Sequence, residues 1–88
     1  MQQKENHLIY GIHIDDRIQH AGEIQNVLTE YGHSIKTRLG LHEVANDALV
    51  RTGVILLEMV GTEEICDAMA EKLEAIEGVE VKKIIFRH

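Results

Sequence analysis

The order in which the hydrophobic period changes along the chain restricts the fold more than any other feature. In residues 8–14, LIYGIHI, Leu8, Tyr10, Ile12 and Ile14 recur at period two, with Ile9, Gly11 and His13 between them. That alternation predicts a strand. Asp15 and Asp16 then offer carboxylates to the free amides of a helix start. Ile18, Ala21, Ile24 (or Gln25), Leu28 and Tyr31 recur at spacings of three and four, forming one apolar helical stripe. Gly32 is placed to end that helix in the left-handed cap conformation. From Ser34 the period returns to two, with Ile35, Thr37, Leu39 and Leu41 on one face and Lys36, Arg38, Gly40 and His42 on the other.

Residues 42–51, HEVANDALVR, lose that alternation and predict a loop with a short helical turn. Thr52–Val60, TGVILLEMV, is apolar at both parities, as expected of a central strand covered twice. Thr62 is a candidate N-cap, with Glu63 and Glu64 in the favourable first turn. Ile65, Met69, Leu73 and Ile76 form the second helical stripe, flanked by Cys66 and Ala70, and Gly78 closes it. Val79–Phe86 is the last strand, with Val79, Val81 and Ile85 on one face and Ile84 and Phe86 on the other.

Strand, helix, strand, strand, helix, strand is the order of an α+β, ferredoxin-like βαββαβ sandwich. Both helices are expected on one face of a four-stranded antiparallel sheet. The chain's 88 residues predict one domain over 1–88. Two helices shelter only one face of such a sheet. The strand that is apolar on both sides therefore predicts an exposed patch, and a patch of that size marks an interface. The set expected there is Ile55, Leu57 and Met59, buried in a homodimer or tetramer with two-fold symmetry.

The composition narrows the partners. The net charge is −6, and the densest basic group is only Lys82, Lys83 and Arg87. A nucleic-acid binder needs clustered cations or stacking aromatics, and this chain has two Tyr, one Phe and no Trp. Direct nucleic-acid binding is not expected. The longest apolar run, Val54–Leu57, is far short of a membrane span, and MQQKENH leads into no signal-peptide core. No membrane association and a cytoplasmic location are expected.

Six histidines raise a metal reading, with His13, His33 and His42 the candidate ligands. No HxH or HxxxH pair is present, so ordinary surface histidines stand beside that reading. Cys66 falls in the first turn of the second helix, where a thiol can be activated, yet it equally suits a small apolar filler. No second Cys is available to resolve a sulfenate or pair with it.

The segment Thr37–Glu43 is the most singular. Arg38 presents a planar fork for carboxylate or phosphate. Gly40 inside a strand suggests a bulge or the close approach of another backbone. His42 and Glu43 add a titratable pair at the strand end. Arg38, Gly40, His42 and Glu43 are thus the candidate ligand-binding set, and an edge strand protected by charge uses the same residues. No catalytic residue is expected: Ser34 is the sole serine, and IHIDDR carries acids where a phosphate loop needs glycines.

Arg38-Leu39-Gly40-Leu41, the strand GVILLEMVG and the ending KLEAIEGVEVKKIIF resemble the iron-only hydrogenase system regulator family, from about Leu8 to Phe86. That family is similar in fold to ACT domains and to the nickel-binding C-terminal domain of the NikR repressor. The resemblance implies a non-enzymatic regulatory or sensory homo-oligomer that takes a small ligand or partner protein between subunits. Two departures matter: His42 stands where many relatives carry Pro, and Cys66 does not align with the nickel domain's cysteine ligand. The alternative function is a His-based, nickel-like transition-metal sensor or carrier. The residues assign no cofactor.

Overall fold

The computed structural model describes residues 6–15, 21–42 and 53–87. Their order is β1 (His7–Ile14), α1 (Ala21–Glu30), a 3-10 turn (Gly32–Ser34), β2 (Ile35–His42), β3 (Gly53–Met59), α2 (Glu63–Glu74) and β4 (Val79–Phe86). The strands form one antiparallel sheet in the order β2-β3-β1-β4. This is the α+β ferredoxin-like arrangement that the periodicity predicts. Residues 43–51 of the loop expected at 42–51 lie outside the described residues, as do Asp16, Ile18 and Thr52, whereas His42 belongs to β2.

The second helix begins as its sequence dictates. Thr62 Oγ1 accepts a hydrogen bond from the Ile65 N–H at 3.2 Å, satisfying one of the free amides of the first turn. Gly61 and Gly78, with φ of 102° and 86°, bracket this helix in a left-handed conformation open to glycine. Gly32 behaves differently from expectation. The first helix ends at Glu30, the Tyr31 N–H still bonds Val27 O at 3.1 Å, and Gly32 opens the 3-10 turn without a positive φ. Lys72 of α2 then ties the two helices, donating to Glu30 at 2.6 Å and lying 5.3 Å from the Tyr31 ring centre.

The core lies between the sheet and the helices. Leu8, Tyr10 and Ile12 of β1 meet Ile24 and Leu28 of α1 and Cys66, Met69 and Leu73 of α2. The ladder between β1 and β3 decides which parity of β3 joins them. Leu8 opposes Met59, Tyr10 opposes Leu57 and Ile12 opposes Ile55, and directly opposed residues share a face. Ile55, Leu57 and Met59 therefore face the helices, with Leu57 and Met59 buried. This corrects the expected interface set: the parity left open is that of Val54 and Leu56.

A register shift between Ile35 and Thr37 makes a second correction. Ile35 opposes Met59 and packs against the core, whereas Thr37 opposes Glu58 on the far face. The two residues, expected on one face, are parted by a bulge at Lys36.

Candidate functional site

Among the described residues, no helix lies over the far face of the sheet. Reading across the ladders, Leu39 opposes Leu56, Leu56 opposes Gly11, and Ile9 opposes Ile84. Phe86 opposes His7 beyond them. Leu39, Ile84 and Phe86 are 52%, 53% and 52% exposed, and Leu56 is 37% exposed. These are large apolar side chains gathered on one surface rather than scattered singly.

The candidate ligand segment runs along β2, an edge strand. Arg38 opposes Leu57, so it lies on the helix side of the sheet, and its Nη2 donates to Gln25 Oε1 of α1 at 3.3 Å. Gly40 opposes Ile55 in regular pairing, and a Cβ there would meet nothing within 4 Å. The bulge expected at Gly40 is thus corrected to Lys36, and within the chain nothing described crowds Gly40. His42 ends the strand opposite Gly53, and Glu43 lies outside the described residues.

The three candidate metal ligands divide. His13 opposes Val54 and Glu80 and is exposed on the far face. His42 is one pairing away, at the same end of the sheet. His33 precedes β2, which His42 ends. An eight-residue strand separates them by roughly 23 Å at ~3.3 Å per residue, so the three cannot share an ion within one chain. Among the described residues, no cluster of three or more His, Cys, Asp or Glu is arranged to hold a metal.

A polar network that the sequence reading did not find joins β1, β4 and α2. The Tyr10 hydroxyl donates to Asp67 Oδ1 at 2.7 Å. Lys83 Nζ donates to the same carboxylate at 2.9 and 3.1 Å and to Glu63 Oε2 at 3.0 Å. Tyr10, Asp67 and Lys83 line a cleft of about 240 Å³ with Ala70, Glu71, Glu74 and Val81. Glu74 Oε1 accepts from the Val81 N–H at 3.2 Å, occupying a backbone donor of the β4 edge. Its signals were present: Glu63, Asp67, Glu71 and Glu74 fall on one helical face, and Lys83 is a charge at an apolar parity of β4.

The network fixes protonation states. Burial first, and then donation to Asp67, push the Tyr10 hydroxyl well above the ordinary tyrosine range. Hydrogen bonds from Tyr10 and Lys83 hold the Asp67 carboxyl low. Hydrogen bonds to Asp67 and Glu63 raise Lys83. A tyrosine that keeps its proton and a paired carboxylate make a clamp between helix and sheet. Cys66 is buried, and burial raises its thiol; the S–H lies 3.9 Å from Val60 O. That is the environment of a packed filler, not an activated nucleophile.

The family model described as "Iron-only hydrogenase system regulator, putative" (TM1266-like) matches residues 7–83. No curated protein matches the chain. Among solved structures, the uncharacterized protein TM1266 from Thermotoga maritima superposes with a TM-score of 0.70 at 21% identity, covering 94% of this chain and 100% of that one. CPII, a nitrogen regulatory PII-like protein from Thiomonas intermedia K12 bound to ADP, AMP and bicarbonate, gives 0.55 at 17%, covering 96% of each. A formyltetrahydrofolate deformylase from Pseudomonas putida KT2440 gives 0.56 at 12%, covering 89% of this chain but 28% of the enzyme. At these identities the structural likenesses show the fold. The match over residues 7–83 shows more, and the chain belongs to the TM1266-like family of iron-only hydrogenase system regulators.

Proposed function

We propose that this small regulatory protein is a single ACT-like domain over residues 1–88 that works as a homo-oligomer, binding a small ligand or partner protein where subunits meet. One observation carries the reading. Leu39, Leu56, Ile84 and Phe86 stand exposed on a sheet face that neither helix covers. A second copy laid on that face removes them from water at about 25 cal/mol per Å². The expected face is retained, with Leu56 and its neighbours replacing Ile55, Leu57 and Met59.

Arg38 is the anchor proposed for the ligand; it lies on edge strand β2 with its side chain on the helix side, so the ligand is taken at the rim of the contact between copies and not at the centre of the open face. Its guanidinium suits carboxylate or phosphate, and its Gln25 partner is neutral, leaving the positive charge uncompensated in that contact. Gly40 and His42 continue the segment along the edge strand, and Glu43 follows them in sequence. The PII-like neighbour is bound to ADP, AMP and bicarbonate, which supports an anion as the ligand class. Function by binding rather than turnover is supported by the locked network: Tyr10 holds its proton and Asp67 is paired, so neither is poised as a base.

Native mass spectrometry of untagged protein tests both parts. Assemblies above the 10.0 kDa monomer at micromolar concentration are expected, with Leu56→Asp reducing them to monomer. Adding ADP, AMP or bicarbonate is expected to raise the melting temperature of the wild type and not of Arg38→Ala. A monomeric wild type refutes the oligomer, and no shift with any anion refutes the ligand class.

A further inference from the structure

We infer that Gly11 forms a socket at the centre of the open sheet face, into which a second copy inserts an exposed apolar side chain. This rests on the reading of that face as the contact between copies and adds its point of engagement. Gly11 is mid-strand in β1, with Ile9 before it and His13 after it at the same parity. Its ladder neighbours are Leu56 on β3 and Lys82 on β4. A residue without a side chain therefore sits in a ring of four that have one.

Nothing among the described residues requires glycine there. Gly11 has no positive φ, and a Cβ would meet Leu56 Cδ2 at 3.7 Å, an ordinary contact. Glycine weakens a strand interior, through backbone entropy and the missing side chain. A glycine at that cost, with room for a Cβ, fits a position that another chain must approach closely. Leu39, Ile84 and Phe86 are the exposed side chains of this face long enough to reach into a facing hollow.

Charge selects a second copy as the occupant. The chain carries −6, so two copies repel across most of their surface. On this face the acids are already matched. Glu58 accepts from Thr37 at 3.0 Å and lies 3.9 Å from Lys36, and Glu80 lies 3.8 Å from Lys82. Copies can meet here without like-charge opposition, whereas a strongly basic partner or an anionic membrane finds no net charge to complement.

Sedimentation equilibrium of wild type, Gly11→Ala, Gly11→Val and Leu56→Asp tests the socket, with far-UV circular dichroism reporting the fold. Association of the wild type is expected to weaken a few-fold in Gly11→Ala and between about tenfold and a hundredfold in Gly11→Val. Both glycine variants are expected to keep the wild-type spectrum and, when dilute, a melting temperature no lower than wild type. Leu56→Asp is expected to be monomeric. Wild-type association in Gly11→Val alongside a monomeric Leu56→Asp overturns the socket and leaves the interface standing. A monomeric wild type overturns the interface reading, and the socket with it. Unfolding of Gly11→Ala contradicts the available space and overturns the socket alone.

Discussion

Asp67 accepts from two donors that lose unequally when it is removed, and this asymmetry gives a sharp test of the network. In Asp67→Ala, the Tyr10 hydroxyl stays buried with no acceptor, whereas Lys83 keeps Glu63 at 3.0 Å. A stranded buried hydroxyl costs about 1–3 kcal/mol, so about 2 kcal/mol of destabilisation is expected. In Tyr10→Phe the buried hydroxyl itself is gone. Asp67, 44% exposed in its side chain, retains Lys83 and regains water, so the cost is about 0.5–1 kcal/mol. The double variant strands nothing and is expected to cost about 1 kcal/mol, well below the sum of the singles. Urea unfolding followed by circular dichroism, at one fixed protein concentration because assembly shifts stability, measures all four corners. Each kcal/mol corresponds to roughly 4–8 °C in melting temperature for a domain of this size. Additive costs, or a Tyr10→Phe loss equal to that of Asp67→Ala, would refute the reasoning.

The same network sets a pH profile. Asp67 is depressed in the folded state, so its contribution is present above the unfolded value of about 3.9 and is lost as acid titrates the folded carboxyl. Tyr10 and Lys83 are raised, so theirs is complete below about 10 and is lost as pH rises further; melting temperatures taken from pH 3 to 11 are expected to show both flanks. Leu57→Ala is expected to cost about 2–5 kcal/mol, against about 0.5 kcal/mol or less for Leu39→Ala in the dilute monomer, and equal losses in urea unfolding would contradict the assigned parity. Thr62→Ala removes the cap of α2 and should cost about 1 kcal/mol by the same measurement, with Thr62→Ser retaining most of it. Gly78→Ala puts a Cβ at a φ of 86° and is expected to cost about 1–2 kcal/mol, whereas Gly32→Ala is expected to be neutral or stabilising.

Much of the architecture was legible because local chemistry and tertiary need agree. Thr62, Glu63 and Glu64 read as a helix start, and Gly78 as its end, because capping and φ are properties of single residues. The parity of β3 was not legible. Ile55 and Leu56 are equally apolar, and only the register against Leu8, Tyr10 and Ile12 tells them apart. The Tyr10–Asp67–Lys83 contact joins residues 57 and 16 positions apart, and no periodicity reports such a pairing. Gly40 stands out in the strand pattern, but the irregular step is at Lys36, where nothing in composition marks it, which leaves close approach of another backbone as the reading of Gly40. The cationic fork of Arg38 is legible in the sequence, but its position on the helix side beside Gln25 depends on that same hidden step.

The bulge at Lys36 gives β2 one spare residue. Ile35 and Thr37 oppose Met59 and Glu58, which are consecutive in β3, so removing Lys36 would restore plain alternation and leave every later side chain on its present side. Removing Arg38 instead would also be absorbed by closing the bulge, which sets Lys36 opposite Glu58 and Thr37 opposite Leu57 while Leu39 and Gly40 keep their faces. The strand can therefore lose one residue near the bulge without inverting, whereas a second loss would turn Leu39 toward the helices. Relatives one residue shorter here are expected to carry the gap at the bulge.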